Sequence, residues 1–288
     1  MMFAAPNIIR PWPGFRNLVF DARKNISGSN NDVLGCVMNP EGTKMVLGLD
    51  PSNGDLENWT MSTPYDVTTL SEVSQIAGSG DFPSVSSFDA DGSNVYYVDA
   101  NRSPGAVYRS STATPYVYRL GNSEQVLTTA LGFPTYDSIG IKWTDNGYTL
   151  IAYAIYGNDV TICTVTTPYT FTGVTIVSSV SSAIFPGKCT SLNIFTYNGV
   201  RFFLTSGRHP EDNNRNKFWI IPAETGIVKQ DSSLFEPSEA IALEDVPSDG
   251  SFDDSKGQAF STTTPDGSRI IAVQGNGVAA GYKWLQRA

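Results

Sequence analysis

The feature that most constrains this chain is a unit of about fifty residues that recurs along it. The first copy runs from Leu34 to Val73 and contains short apolar runs separated by turn residues, a pattern typical of consecutive antiparallel strands. Its first turn contains Pro40-Glu41-Gly42, where proline fixes φ and glycine accepts a positive φ. Its last turn contains Thr63-Pro64-Tyr65, and proline cannot donate to a central ladder.

Three landmarks recur with the same period. A turn glycine stands at Gly42, Gly92, Gly147, Gly199 and Gly267. A proline follows the first four glycines by 21 to 23 residues, at Pro64, Pro115, Pro168 and Pro222, and the first three prolines lie in Thr-Pro-Tyr. A Phe-Pro pair recurs at Pro83, Pro134 and Pro186, with a looser copy at Pro237. A period near fifty with four strands per unit predicts an all-β fold, a β-propeller of four-stranded antiparallel blades.

Counting the units predicts five blades. The fifth unit ends before its outer strand, whereas the N-terminal segment around Phe15 to Ala22 has no partner in the first unit. We therefore expect this N-terminal strand to pair into the last blade and close the ring, which would remove two exposed sheet edges. The predicted domains are an N-terminal extension over 1–14 and a single propeller over 15–288. Six blades remain the alternative if the long gap before Gly267 contains a degenerate unit.

The amino-acid composition limits the classes of partner that this chain is expected to bind. The formal net charge of −9 disfavours binding to a phosphate backbone, because each such contact needs Lys or Arg. The N-terminus lacks the basic and apolar regions of a signal peptide, and no apolar run is long enough to span a membrane. Cys36, Cys163 and Cys189 show no metal-ligand spacing and are interpreted as small buried hydrophobes. We therefore expect no nucleic acid partner and no membrane insertion.

The residues that could carry chemistry are few. His209 is the single histidine, which argues against a triad or a multi-histidine metal site, and no nucleotide-binding or nucleophile-elbow motif is present. Carboxylates could act without histidine, and the candidates are Asp21, Asp89, Asp91, Asp137 and Asp145. Asp89, Asp91 and Asp145 follow inner strands, where Asp caps turns. The sequence therefore predicts no catalytic, metal or cofactor site and no enzymatic activity.

Aromatic residues leave two interpretations open. Trp59, Trp219 and Trp284 fall in the third strand of their units, which favours a role in contacts between blades. Exposed aromatic faces could instead stack on sugars.

The units differ most on one predicted face. Loops between strands two and three, and connections between blades, open opposite to the repeated glycine and Thr-Pro-Tyr turns. A long polar loop spans 206–217 and an acidic connection spans 238–256. Because loops on a rigid scaffold often bind partners, this is the candidate binding face. Its residues are Arg208, His209, Glu211, Asp212, Glu244, Asp245, Asp249, Asp253 and Asp254. The alternative is that both segments are solvated insertions without a partner.

The unit resembles a repeat of tailed-phage virion proteins and related bacterial repeat proteins. The best match joins Met38-Asn-Pro-Glu-Gly-Thr-Lys-Met-Val-Leu to Trp59-Thr-Met-Ser-Thr-Pro-Tyr-Asp-Val-Thr-Thr-Leu. Later units keep Thr-Pro-Tyr or the glycine turn but lose the Thr-Lys-Met and Asp-Val-Thr parts. The resemblance covers most of 34–288 with decreasing quality towards the C-terminus.

The resemblance implies a non-enzymatic structural component of a virion, located on the tail or the capsid. Its partners would be other virion proteins, and an outward face would contact a host-surface glycan or protein. One alternative function is a five-bladed propeller that binds carbohydrates or hydrolyses glycosides. Another is a regulatory propeller that binds proteins inside a cell.

Overall fold

A computed structural model describes residues 18–26, 32–50, 55–76, 83–99, 105–133, 139–155, 159–180, 188–197, 200–208, 216–223, 241–242, 259–274 and 278–284. Within these ranges the chain forms twenty strands and a few short 3-10 turns, with no α-helix. The prediction of an all-β chain is therefore confirmed.

The strands form five antiparallel four-stranded sheets in the part of the chain that the structure describes. Sheet 1 contains β2 (Asp32–Met38), β3 (Lys44–Asp50), β4 (Leu56–Met61) and β5 (Leu70–Ile76). Sheet 2 contains β6 (Pro83–Phe88), β7 (Asn94–Asp99), β8 (Ala106–Thr114) and β9 (Val117–Leu127). Sheet 3 contains β10 (Ile139–Thr144), β11 (Thr149–Ala154), β12 (Val160–Thr164) and β13 (Thr175–Val180).

The last two sheets complete the series. Sheet 4 contains β14 (Lys188–Tyr197), β15 (Val200–Arg208), β16 (Asn216–Ala223) and β17 (Ile241–Ala242). Sheet 5 contains β18 (Ala259–Thr263), β19 (Arg269–Gln274), β20 (Val278–Trp284) and, at its outer edge, β1 (Leu18–Asn25).

The first strand of each sheet lies at the centre of a propeller-like ring. β2 contacts β6, β6 contacts β10, β10 contacts β14, β14 contacts β18, and β18 contacts β2. The inner strands thus surround one axis, and the later strands of each sheet lie progressively farther from it.

Both faces of each sheet are covered, which explains the continuous apolar runs in the second strands. In β3, Met45 and Leu47 belong to a cluster shared with sheet 5, whereas Val46 between them belongs to a cluster shared with sheet 2. In β7, Val95 faces sheet 1 and Tyr96 faces sheet 3. Because successive side chains of a strand point to opposite faces, a sheet between two neighbours needs apolar residues at every position.

The N-terminal strand occupies the place predicted for it. β1 pairs antiparallel with β20, from Leu18 opposite Trp284 to Asn25 opposite Val278. Lys24 on β1 then reaches sheet 1, where its ammonium group donates to the backbone carbonyls of Thr68, at 3.3 Å, and of Leu70. The two ends of the described chain therefore meet in one sheet, and that sheet is joined to the first.

Asp66 and Val67 explain why the first unit keeps the Asp-Val-Thr part of the repeat. The Asp66 carboxylate accepts from the Thr68 backbone N–H at 3.0 Å and begins a short 3-10 turn over Val67–Thr69. The turn buries Val67 in the cluster between sheets 1 and 5. It also presents the Thr68 and Leu70 carbonyls that Lys24 binds. This motif is retained in the unit that meets the last sheet.

The repeated glycine and tyrosine form one structural device, which we call the glycine–tyrosine clasp. It joins Tyr65 to Gly42, Tyr116 to Gly92 and Tyr169 to Gly147. In each clasp the tyrosine N–H donates to the glycine carbonyl, at 2.9, 2.8 and 3.0 Å, and the ring lies where a glycine Cβ would be. The three tyrosines have φ of 59°, 63° and 58°. The glycine turns and the Thr-Pro-Tyr turns therefore share a face, as predicted.

In sheet 5, the aromatic ring that covers the turn glycine comes from the neighbouring sheet 4. Gly267 has φ of 69°, and the ring over it belongs to Phe195 on β14 of sheet 4. The next residue, Thr196, donates its backbone N–H to the Pro265 carbonyl at 2.9 Å. The turn of sheet 5 is therefore covered by a residue of the preceding sheet rather than by a tyrosine of its own sheet.

Candidate functional site: an axial cavity

The predicted binding face lies almost entirely outside the described residues. Of its nine residues, only Arg208 falls within a described strand, at the end of β15, where its backbone is opposite Lys188. Tyr197 and Val200 pair at the opposite end of β14 and β15 from Arg208. His209, Glu211, Asp212, Glu244, Asp245, Asp249, Asp253 and Asp254 lie outside the described residues.

Two of the candidate carboxylates are structural turn caps. Asp89 is buried, and one oxygen accepts from the Asn94 backbone N–H at 3.0 Å. Its other oxygen accepts from the Ser93 hydroxyl at 3.1 Å. Asp91 accepts from the Ser93 backbone N–H at 3.0 Å, and its hydrogen bonds with Ser93 lower the pKa of its carboxyl group. Asn39 occupies the position of Asp89 in sheet 1 and accepts from the Lys44 backbone N–H at 2.8 Å.

The remaining carboxylates do not form an axial pair in the described structure. Asp21 lies on β1, at the outer edge of sheet 5, and forms ion pairs with Lys283 and, at 3.7 Å, with Arg269. Asp137 and the side chain of Asp145 lie outside the described residues.

Trp59 is a packing residue rather than an exposed platform. Its side chain is buried, and its indole N–H donates to the Glu57 carboxylate at 2.9 Å. Burial raises the pKa of Glu57, and the bond from Trp59 opposes that rise. Trp219 and Trp284 occupy the third strands of sheets 4 and 5, as expected, but their side chains lie outside the described residues.

The centre of the ring contains a small cavity between inner strands. Its volume is about 10 Å³, which is roughly the space for one water. The lining is mostly polar and comes from β2, β6, β10, β11 and β14; it includes Cys36, Ser84, Ser86, Lys142, Tyr153 and Asn193. None of the described lining residues is a carboxylate.

Strand irregularities help to open this cavity. The pairing register shifts between Val85 and Ser87 on β6, and between Cys189 and Ser191 on β14. The residues inside these two bulges, Ser86 and Thr190, line the cavity. A bulge leaves one residue unpaired and bends the strand, so it can turn a polar side chain towards the axis.

Lys142 is the charged residue of the cavity lining. It lies on β10 opposite Ile151 of β11, in a strand whose neighbouring residue Ile141 is fully buried. Within the described chain, no hydrogen bond or ion pair to its ammonium group is formed. Burial lowers the pKa of Lys142 to about 8, and the nearby Cys36 opposes this effect only weakly. The side chain is half-buried, and below this pKa its ammonium group is a cation.

The other titratable groups beside Lys142 stay neutral. Burial raises the pKa of the Cys36 thiol to about 12. Burial also raises the pKa of the Tyr153 hydroxyl. The Tyr153 ring lies against Gly140, where a Cβ atom would fall within 2.6 Å of ring and hydroxyl atoms. All three cysteines are free and buried, as the sequence predicted.

Sequence reasoning missed the axial cavity and Lys142. One signal was available: Ile139-Gly-Ile-Lys-Trp places a single charge within an otherwise apolar inner strand. Periodicity assigns that residue to a strand but does not show that strands of three other sheets meet beside it. Within the described residues there is also no cluster of three or more His, Cys, Asp or Glu suited to a metal ion. The described chain contains no helix long and apolar enough to cross a membrane.

Comparison with known proteins gives one distant structural neighbour to report. No protein family matches the chain, and no curated protein matches it. Among solved structures, a candidate 6-phosphogluconolactonase from Bacteroides uniformis is similar at 12% identity and a TM-score of 0.42. The match covers 86% of this chain and 66% of that one, slightly less than two thirds of its length.

This neighbour contradicts one expectation from the sequence. The absence of catalytic motifs predicted that the chain is not an enzyme, yet a protein with a similar propeller-like fold is named for an enzymatic activity. The expectation is therefore wrong as a deduction from this fold. At such low identity and score, the neighbour assigns no activity to this chain.

Proposed function

We propose that the chain is a five-bladed β-propeller that forms a structural part of a phage virion, as an appendage of the tail or the capsid. Its partners are then other virion proteins on one side and a host-surface glycan or protein on the other. The observation that carries the proposal is the glycine–tyrosine clasp. The clasp is formed by the parts of the repeat that resemble virion proteins.

The clasp supports a scaffold role because its hydrogen bonds are donated to backbone carbonyl groups of the ring. In sheet 2 the Tyr116 N–H binds the Gly92 carbonyl at 2.8 Å, and the hydroxyl donates to the Ala90 carbonyl at 2.9 Å. The turn itself is closed by the Gly92 N–H, which donates to the Asp89 carbonyl at 3.2 Å. The motif thus satisfies backbone groups on one face of the ring.

A face made of repeated turns suits attachment to an assembly. The clasps of sheets 1, 2 and 3 present similar turns side by side, and Lys44 of sheet 1 donates to the Pro115 carbonyl of sheet 2 at 2.8 Å. We propose that this clasp face binds neighbouring virion proteins. Loops from the opposite ends of the strands, including the connection that follows Arg208, then present the variable residues to the host.

The carbohydrate-hydrolysing alternative gains no support from the described residues. It requires two carboxylates near the axis, roughly 5 to 9 Å apart. Asp21 lies at the outer edge of sheet 5, whereas Asp89 caps a turn. The one described lining residue that carries a charge, Lys142, is a cation.

Sedimentation of particles from the native source tests the proposal. The particles are banded in a density gradient, washed in high salt and probed with an antibody to this chain. We expect the chain to remain in the particle band and to appear in a density map as a ring bound to the tail or capsid. Recovery of the chain only in the particle-free fraction would overturn the virion role.

A further inference from the structure

We propose that the axial cavity is a binding site for one small monovalent anion of the chloride class, held by the ammonium group of Lys142. The inference goes beyond the virion proposal and does not depend on it. Its basis is a half-buried cation without an acidic partner in the described lining, next to a polar cavity with room for one water-sized species.

Charge balance is the first argument. Moving an ammonium group out of water is unfavourable unless it is paired and hydrogen-bonded, and buried charges in proteins normally have a partner. The described titratable groups that line the cavity with Lys142 are Cys36 from β2 and Tyr153 from β11, and burial keeps both protonated and uncharged at neutral pH. The serine residues that β6 contributes do not titrate. A bound anion would supply the missing charge.

The donor set is the second argument. Some lining hydroxyl groups donate to backbone: Ser84 to the Leu34 carbonyl at 2.7 Å, and Thr190 to the Ser206 carbonyl at 2.8 Å. Ser86 makes only a long contact of 3.5 Å with the Tyr96 carbonyl, so its hydroxyl group can turn to another acceptor. The ammonium group of Lys142 adds three donors. The site can therefore donate several hydrogen bonds to one acceptor.

Size is the third argument. A volume of about 10 Å³ excludes phosphate esters, sugars and carboxylate metabolites, because it is near the space for one water. Gly35 contributes to the narrowness: a Cβ atom there would fall 2.4 Å from the Val85 carbonyl oxygen of the neighbouring inner strand. The two strands therefore approach closely, and the axis accepts only a monatomic ion or a water.

Bromide replaces chloride and scatters anomalously, so crystals grown in sodium bromide test the site directly. We expect an anomalous peak within hydrogen-bond distance of the Lys142 Nζ atom in the wild-type protein. The peak should be absent in Lys142→Met and present in Lys44→Met, a matched control whose lysine binds the Pro115 carbonyl on the clasp face. A wild-type crystal without the peak, or with the peak retained in Lys142→Met, overturns the proposal.

A second measurement, made in solution, shows whether the anion binds outside the crystal or at crystal concentration only. Thermal unfolding is followed in sodium chloride and in sodium gluconate at equal ionic strength. At pH 6.5 we expect chloride to raise the Tm of the wild type and of Lys44→Met by about 2–5 °C over gluconate, and not to raise that of Lys142→Met. The rise should disappear at pH 9.5, since Lys142 has then lost its proton. Equal Tm values in the two salts at pH 6.5 would also overturn the proposal.

Discussion

The ring of Tyr116 lies directly over Gly92, and the two residues also share a backbone hydrogen bond of 2.8 Å. Gly92 has a φ of 71°, and an added Cβ would meet the ring at 2.5 Å. Tyr116 itself has a φ of 63°, which is uncommon for a bulky residue. The Tyr116 ring therefore leaves room only for glycine at position 92, and the backbone hydrogen bond to Gly92 helps to hold Tyr116 in a conformation that is uncommon for tyrosine.

Gly92→Ala should lower the free energy of unfolding by about 2–4 kcal/mol, because it combines a left-handed backbone with overlap against the Tyr116 ring. Tyr116→Phe should lower it by only about 1 kcal/mol, through the lost hydroxyl bond to Ala90. Urea denaturation measures both. Tyr148→Phe serves as the control, since Tyr148 is 50% exposed and should be neutral. A Gly92→Ala variant as stable as this control would contradict the clasp.

Asp89→Asn should change the stability by less than about 1 kcal/mol, whereas Asp89→Ala should lower it by about 1–3 kcal/mol. The reason is that the position must accept a backbone N–H, and Asn39 already performs this role in sheet 1. Chemical denaturation of the two variants gives the comparison. Equal losses in both would mean that the negative charge of Asp89 has a role beyond capping.

Lys24→Met should lower the free energy of unfolding by about 1–2 kcal/mol, because it removes the donors from sheet 5 to the Thr68 and Leu70 carbonyls of sheet 1. Asp21→Asn is the matched control on the same strand. Its partly exposed ion pairs stay within sheet 5 and should contribute less than about 1 kcal/mol. If thermal unfolding shows the same loss for both, Lys24 has no special part in closing the ring.

Stability should fall as pH rises above about 9, and Cys163 contributes to this fall. Burial raises the pKa of its thiol from 9.0 to about 12, so the folded protein keeps a proton that the unfolded chain releases. The stabilisation is complete below pH 9 and is lost as pH rises towards 12.

Cys163→Ala should therefore flatten the pH dependence of the free energy of unfolding between pH 9 and 11, by up to about 1.4 kcal/mol per pH unit. Val165→Ala also removes buried apolar volume nearby but carries no titrating group. It should lower the stability equally at all pH values. An unchanged slope in Cys163→Ala would show that its thiol does not stay protonated in the fold.

Local patterns in the sequence were sufficient to predict much of the fold. The strands and the turns at Gly42 and Gly92 follow from short-range rules about proline, glycine and apolar runs. The same rules identified Asp89 as a turn residue. Each signal lies within a few residues of the structure that it determines, and its repetition at one period fixes the order of the sheets.

Contacts between residues far apart in the chain could be seen only in the tertiary structure. Phe195 covers the turn at Gly267, and Lys142 meets Cys36 at the axis, although no local pattern relates either pair. Closing the ring brings the inner strands together, and that step places one lysine of an apolar strand, half-buried, beside a polar cavity. The sequence by itself determined the repeating unit and its turns, whereas the tertiary structure decided what lies at the centre, because burial depends on strands that the chain joins only when the ring closes.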